Sequence, residues 1–319
     1  MADLLVKINI YFSKIVFPVI VFTSIIGNIM NIAILGRYKM RKHACSLYFI
    51  ALSINNLLYS TTIVVISLLG DGYQIRLSIR SLILCKLITY FGTLLSALSS
   101  YFIVLASIDR WCASSSSIQR RNFSNVRTAK WLIFSFIIFF SFLFIISFIM
   151  ADIDTNDTLS CRIRDNTVFI KTYSIFQFIL YSCLAPLLML IFGCMTICNV
   201  KQYHIMTLTS TNYRRTESQL FRMLLVQVGV QILLTLPISL AGLLLSFSNM
   251  YQATINFYSI FIICRVIFQM SYTTPFFLYI ISSRTFRQEF IRLLIKISLY
   301  HFHNRVHVMQ NPRHLIDCK

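Results

Sequence analysis

The sequence predicts an all-α membrane protein, a bundle of seven membrane-spanning helices. Three observations carry that prediction. Hydrophobic residues make up 57% of the 319-residue chain and charged residues only 12%, about half the charged share of an ordinary soluble domain. The apolar residues fall into seven stretches, each long enough for a hydrocarbon core about 30 Å thick, which takes roughly 20 residues of helix. The positive charges gather in alternate connections, the arrangement that membrane topology imposes.

In chain order the stretches are Phe12–Leu35, Leu47–Leu69, Leu84–Ile108, Trp131–Met150, Ser174–Val200, Leu220–Phe247 and Phe257–Ile281. Each must be helical, because lipid offers the backbone no partner outside its own segment. The first begins too early and runs too long for the apolar core of a secretion signal, and no small-residue cleavage pattern ends it. It reads as span one. Polar clusters such as "LGDGYQ" and "SFSNMYQ" mark the turns. The chain therefore divides into a short N-terminus (1–11), the bundle (12–281) and a tail (282–319), with no repeat or low-complexity tract.

The net charge of +19 is topological and not a nucleic-acid signal. Roughly two thirds of the 29 Lys and Arg residues, but fewer than half of the 10 acids, lie in connections 1–2, 3–4, 5–6 and the tail. Lys and Arg favour the cytoplasmic side, and there they also meet anionic inner-leaflet lipid. This places the N-terminus outside and the C-terminus inside. Of nine Cys, only Cys85 and Cys161 fall on the outer side, where disulfides persist. Either they bridge, pinning the connection between spans four and five over the bundle mouth, or they are two free thiols. Asn156 opens an Asn-Asp-Thr triplet on that connection, a glycosylation acceptor if it faces outward.

Catalysis finds no support. All six His (43, 204, 301, 303, 307 and 314) fall in the proposed cytosolic segments, leaving none in the bundle for acid–base or metal work. His301 and His303 lie close together but lack neighbouring acids or thiols. No glycine-rich phosphate loop occurs, and neither a cofactor nor a metal is expected. A transporter or channel would call for inverted repeats, broken helices or midplane charges. No internal symmetry is visible, and Arg265 is the one deep charge.

Span three closes on "SIDRWC", an acid and a base side by side at Asp109 and Arg110. The 25 residues from Cys85 to Arg110 cover about 37 Å of helix at 1.5 Å per residue. With Cys85 at the outer edge, the pair emerges at the inner one. By itself it reads equally as a charged anchor at a helix end.

Taken together, these landmarks resemble those of the rhodopsin-like (class A) G-protein-coupled receptors over about Gly27 to Phe290. "GNIMNIAIL" matches that family's Gly-Asn signature at Gly27 and Asn28. "SIDRWCA" matches its Asp-Arg-Tyr motif, with Trp111 in place of Tyr. Cys85 and Cys161 match its disulfide, Pro186, Pro237 and Pro275 fall where it kinks spans five, six and seven, and "SSRTFRQEF" resembles the start of its short amphipathic eighth helix. The resemblance implies a cell-surface receptor that binds an extracellular ligand and activates a heterotrimeric G protein. It implies coupling and switch roles for Asp109, Arg110, Glu217 and Tyr279, and a structural polar network at Asn28, Asn56 and Thr274. Glu217 lies 20 residues before Pro237, about 30 Å along the helix and near the depth of Arg110. There an acid can hold spans three and six together at rest, or simply be solvated among Arg214, Arg215 and Arg222.

The departures lie inside the bundle. Asn56 replaces the family's span-two Asp, Thr235 stands for the span-six Trp, Gln231 for the aromatic below it, and Phe136 for the span-four Trp. Span seven reads "TTPFFLY", with Thr274 for Asn and Tyr279 four residues after Pro275. Amine receptors of this kind carry an Asp where this chain has Gly92, so an amine ligand is not expected. Arg265, as an unpaired charge, makes a peptide or another non-amine the expected ligand, and Tyr90, Phe91, Tyr173 and Phe176 are aromatic candidates for the outer mouth. Two other readings stay open: a transporter or channel, and a receptor-like protein without G-protein coupling.

Overall fold

The computed structural model describes residues 2–154, 160–163, 167–204, 211–247 and 255–296. Among the described residues, six helices are long and apolar enough to cross a membrane: Val6–Leu35, Ala44–Gly72, Leu82–Ser114, Val126–Met150, Lys171–Val200 and Gln219–Leu244. The seventh span is a bent pair, Ser259–Met270 and Thr274–Ser282, meeting at 47°. Spans two to four start earlier than hydropathy alone suggests. At the head of span two, for example, Ala44, Cys45 and Ser46 are buried against the bundle.

Span three is the axis. Most of its central window is buried, whereas span four buries only 17% of its own and turns Phe134, Phe139 and Phe142 outward. Small residues make that possible: Ala97, Ser99, Ser100 and Ala106 on span three are all buried, and small side chains let helix backbones approach closely where no hydrophobic effect drives them together. Gly27 serves the same end between spans one and seven. A Cβ there would stand 3.0 Å from Phe276 Cβ.

Several spans are not regular α-helix. Span two contains two π turns, Ser60–Val64 and Leu68–Gly72. Thr61, Thr62 and Ser67 along it donate to carbonyls one turn back, a pattern that competes with the backbone ladder and bends helices. Span five contains a third π turn, Ile179–Leu184, immediately before Pro186. Span six runs as one helix, Thr211–Phe247, through Pro237.

Span seven departs from the continuous helix expected over Phe257–Ile281. It breaks at 271–273, ahead of Pro275 in the first turn of the second half, because proline has no N–H and crowds the preceding turn. The Tyr272 carbonyl lies within the break, buried in the bundle where no water can answer it. Span one captures it: Asn28 Nδ2 donates at 2.9 Å and Ser24 Oγ at 3.2 Å.

At one end of the bundle two short strands, β1 (Ala151–Asp154) and β2 (Ser160–Ile163), pair antiparallel, with Ile153 opposite Cys161. Cys161 is disulfide-bonded to Cys85, the Cα atoms 5.6 Å apart, so the expected bridge is present and the free-thiol alternative is set aside. At the other end the chain turns at Ser283, and residues 284–296 form a further helix. Its Thr285, Phe286 and Glu289 are buried while Ile291, Leu294 and Ile295 are exposed. Glu289 receives Arg37 of the first connection at 2.7 Å.

The disulfide ties residues 76 apart, which restricts the unfolded chain by about 2–4 kcal/mol. Cys161→Ser is therefore expected to lower the unfolding midpoint in detergent by roughly 5–10 °C. An unchanged midpoint would show that the hairpin is held by packing alone.

Candidate functional site

Two regions concentrate buried polar chemistry, one at each end of span three. At the far end from the disulfide, Asp109 and Arg110 are almost fully buried, at 5% and 3% exposure. A charge at such depth needs a partner. Arg110 Nη2 donates to Asp109 Oδ2 at 2.6 Å and its Nε to the same oxygen at 3.2 Å. The other carboxylate oxygen accepts from Ser124 Oγ at 2.7 Å, which anchors the connection to span four. Asn125 then caps that span, its side chain accepting from the Thr128 N–H at 2.8 Å.

Trp111 is held on two sides. The Arg120 guanidinium lies 5.1 Å from its ring and Phe192 of span five 5.4 Å away. An Arg over an indole face is the favourable cation–π geometry, so the Trp that replaces a Tyr joins span three, span five and the short helix Ile118–Phe123. Tyr279 is fully buried against Phe49 and Phe286. Gln219, at the base of span six, accepts from the Thr285 N–H at 2.7 Å and from Ser283 Oγ at 3.2 Å, tying that span to the junction after span seven. The backbone at Glu217 is helical, but its side chain lies outside the described residues, as does all of Asn156.

Towards the disulfide end, a cavity of about 270 Å³ opens between spans three, five, six and seven. Gly92, Ser96, Gln177, Tyr181, Thr235 and Ser239 are among its walls. Tyr90, Phe91, Tyr173 and Phe176 do not line it, contrary to expectation. Tyr173 instead turns to span four, bonding Ser147 and accepting from Gln177 Nε2 at 3.0 Å.

These contacts and the cavity lie where seven-helix receptors of one kind do their work, and the chain as a whole agrees. Residues 27–279 match the family described as 7 transmembrane receptor (rhodopsin family). The chain belongs to that family. A comparison with curated proteins finds no match. Members of this family are receptors and not enzymes, so this one is a multi-pass membrane receptor.

The receptor's inner polar residues Asn28, Asn56 and Thr274 each make a specific bond. Asn28 reaches span seven through the Tyr272 carbonyl, and Asn56 reaches span three by accepting from Ser99 Oγ at 2.8 Å. Thr274 only donates to the Ser271 carbonyl one turn back, at 3.2 Å. Asn28 and Asn56 thus join neighbouring spans, and Thr274 serves the break itself.

Arg265 requires a correction, because it is not unpaired. Its guanidinium is bonded to Asp71, at the end of span two. The π turn Leu68–Gly72 presents Asp71. Gln74, held at a positive φ of 58°, donates from Nε2 to the Asp71 carbonyl at 2.9 Å. Nearby, Gln269 donates to Ser67 Oγ at 3.2 Å and Tyr272 stacks on Tyr59 with centroids 3.8 Å apart. Spans two and seven are thus joined by an ion pair, a polar bond and a ring stack. The signal for Asp71 was present in "LLGDG", but straight-helix counting put that acid in a solvated turn.

The paired side chains are 26% and 14% exposed, between the surface and buried limits. Asp71→Asn, which strands the guanidinium, is expected to cost about 1–3 kcal/mol. The double change Asp71→Asn with Arg265→Gln should recover most of that, read as unfolding midpoints in detergent. Equal losses in the single and double variants would show that the pair is energetically idle.

Proposed function

We propose that this receptor lies in the plasma membrane with its disulfide end outside, binds an extracellular non-amine ligand, and activates a heterotrimeric G protein at the Asp109–Arg110 end. The observation that carries the coupling is the shielded Arg110, held by Asp109 and through it by the connection to span four. Such an arrangement describes a closed mouth. Opening it, by outward movement of span six about Pro237, would expose Arg110 and a groove for a partner helix. An agonist need only bind the open form more tightly to shift the population.

Glu217 is proposed to pair with Arg110 in the closed form and so to bias it shut. The orientation rests on the one-sided distribution of Lys and Arg. The disulfide agrees with it, since such bonds persist outside the cytosol, and Asn156 would then be an outward glycosylation acceptor. On the ligand, Gly92 in place of an acid argues against an amine. The pairing of Arg265 with Asp71 removes the free charge on which the preference for a peptide rested. The second reading, a receptor that does not couple, draws on Thr235, Gln231 and Thr274 standing where the family carries switch residues.

Two measurements test this. Arg80 and Arg121 are both exposed, at opposite ends of the bundle. An impermeant thiol reagent applied to intact cells should add label, beyond the parent chain, to Arg80→Cys and not to Arg121→Cys. The reverse result would invert the topology.

In a ligand-free second-messenger assay at matched surface expression, Glu217→Gln is expected to raise signalling several-fold. A partly shielded pair is worth on the order of 1–2 kcal/mol, and 1.4 kcal/mol is about tenfold in population. Arg110→Ala should abolish the signal. Undiminished signalling from Arg110→Ala would move the receptor to the uncoupled reading, and a flat response from Glu217→Gln would remove the lock alone.

A further inference from the structure

Most of the cavity's hydroxyl groups have given their protons to backbone carbonyls and keep oxygen lone pairs with which to accept. A hydroxyl has one proton to donate and lone pairs to accept with, and inside a helix it tends to give that proton to a carbonyl one turn back. Four of the walls do so. Thr93 Oγ1 donates to the Thr89 carbonyl at 3.0 Å, Ser96 Oγ to Gly92 at 2.6 Å, Thr235 Oγ1 to Gln231 at 2.9 Å, and Ser239 Oγ to Thr235 at 3.1 Å. Tyr181 likewise gives its phenol proton to the Thr93 carbonyl at 2.7 Å. Lone pairs remain on these oxygens, although Ser96 Oγ already accepts from the Tyr272 hydroxyl at 3.3 Å, and the groups sit on spans three, five and six around the cavity.

Charge is missing from the same walls. Among the described lining residues there is no Asp, Glu, Lys, Arg or His. The ion pair nearest in the fold, Asp71 with Arg265, is internally neutralised.

From these two facts we propose that the cavity selects an uncharged ligand that carries a hydrogen-bond donor on an apolar frame, the chemistry of an alcohol, a phenol or an amide N–H. This rests on the reading of the protein as a receptor for an extracellular ligand. A carboxylate offers only acceptors to walls whose hydroxyl protons are mostly spent, and it brings an unpaired charge to membrane depth. An ammonium offers donors, but leaves a charge unpaired at membrane depth, which is costly. A neutral ether fits the volume but has no proton to give to these oxygens, so it forgoes the hydrogen bond that the donor makes. Only the neutral donor satisfies the walls. Ser100, one turn below Ser96 and also on the cavity wall, has its proton uncommitted among the described residues, so it can answer the ligand oxygen's own lone pairs.

The test uses the full-length receptor in detergent and four probes on one naphthyl frame: 2-naphthalenemethanol, its methyl ether, 2-naphthoate and 2-naphthylmethylammonium. Binding is read from the dose dependence of the unfolding midpoint. The alcohol should bind about tenfold more tightly than the ether, the worth of one good hydrogen bond. The two ions should be weaker than the alcohol by on the order of a hundredfold. Thr93→Val with Thr235→Val removes two acceptors whose protons are spent within their own helices. The fold should therefore survive, and the alcohol's advantage over the ether should disappear.

Gly92→Asp supplies the control. A Cβ at Gly92 would have Ile63 Cδ1 as its nearest neighbour, at 3.8 Å, so the acid fits without displacing a wall. That variant should prefer the ammonium. If Gly92→Asp binds the ammonium while the parent chain treats all four probes alike, or prefers the ether or the carboxylate, the cavity stands as a ligand site and the donor rule is overturned. If no probe shifts either chain, the ligand-cavity reading fails and takes the inference with it.

Discussion

Hydrocarbon offers no hydrogen bonds, so each polar group inside this bundle has to be answered from within the protein. Most of the interior follows from that constraint. The broken seventh span is tolerable because Asn28 and Ser24 reach the Tyr272 carbonyl within the break. The buried Arg110 is tolerable because Asp109 lies against it. Thr61, Thr62 and Ser67 of span two, Thr93 and Ser96 of span three, and Thr235 and Ser239 of span six turn their protons into their own helices. Remove the requirement for internal partners and there is no reason for these side chains to meet.

The spans themselves were legible in the sequence because hydropathy over twenty residues integrates many weak signals. The disulfide was legible because only two cysteines fell on one side of the charge pattern. The Asp109–Arg110 pair was legible because charges at the end of a long apolar run stand out. What escaped was phase. Periodicity at 3.6 residues assumes an unbroken α-helix, and spans two and five contain π turns while span seven breaks outright. Hence Arg265 looked solitary although Asp71 was in reach. Gln219 and Glu289 escaped for another reason. Their partners are backbone groups and side chains of remote connections, Thr285 and Arg37, and nothing local in the sequence announces such pairs.

The replaced switch positions share one chemistry. Where the family motifs carry large aromatic or acidic groups at the heart of the bundle, this chain carries Thr235, Gln231 and Asn56, and Thr274 takes the place of an Asn; all four are neutral and hydrogen-bonding. Thr235 spends its proton on Gln231's carbonyl and Asn56 takes one from Ser99. Movement of span six would then be governed by exchange of short polar bonds and less by the swing of a bulky ring. Trp111, clasped between Arg120 and Phe192, moves bulk to the opposite end, beside the connection between spans three and four.

Asp71 meets Arg265 through a helix whose π turns each take in about one residue more than an α turn. An α-helix advances by about 100° per residue, so one residue more or less re-aims everything beyond it by over a quarter of a circle. Span two therefore behaves like a combination dial. A single-residue deletion between Ser60 and Val64 would leave the hydropathy, the length and the family resemblance nearly untouched. Yet it would rotate Asp71 away from span seven and leave Arg265 facing the bundle mouth as a free cation. In this receptor, the smallest possible deletion in the second helix is thus a route by which a charge can be unmasked at the disulfide end of the bundle without substituting any residue there.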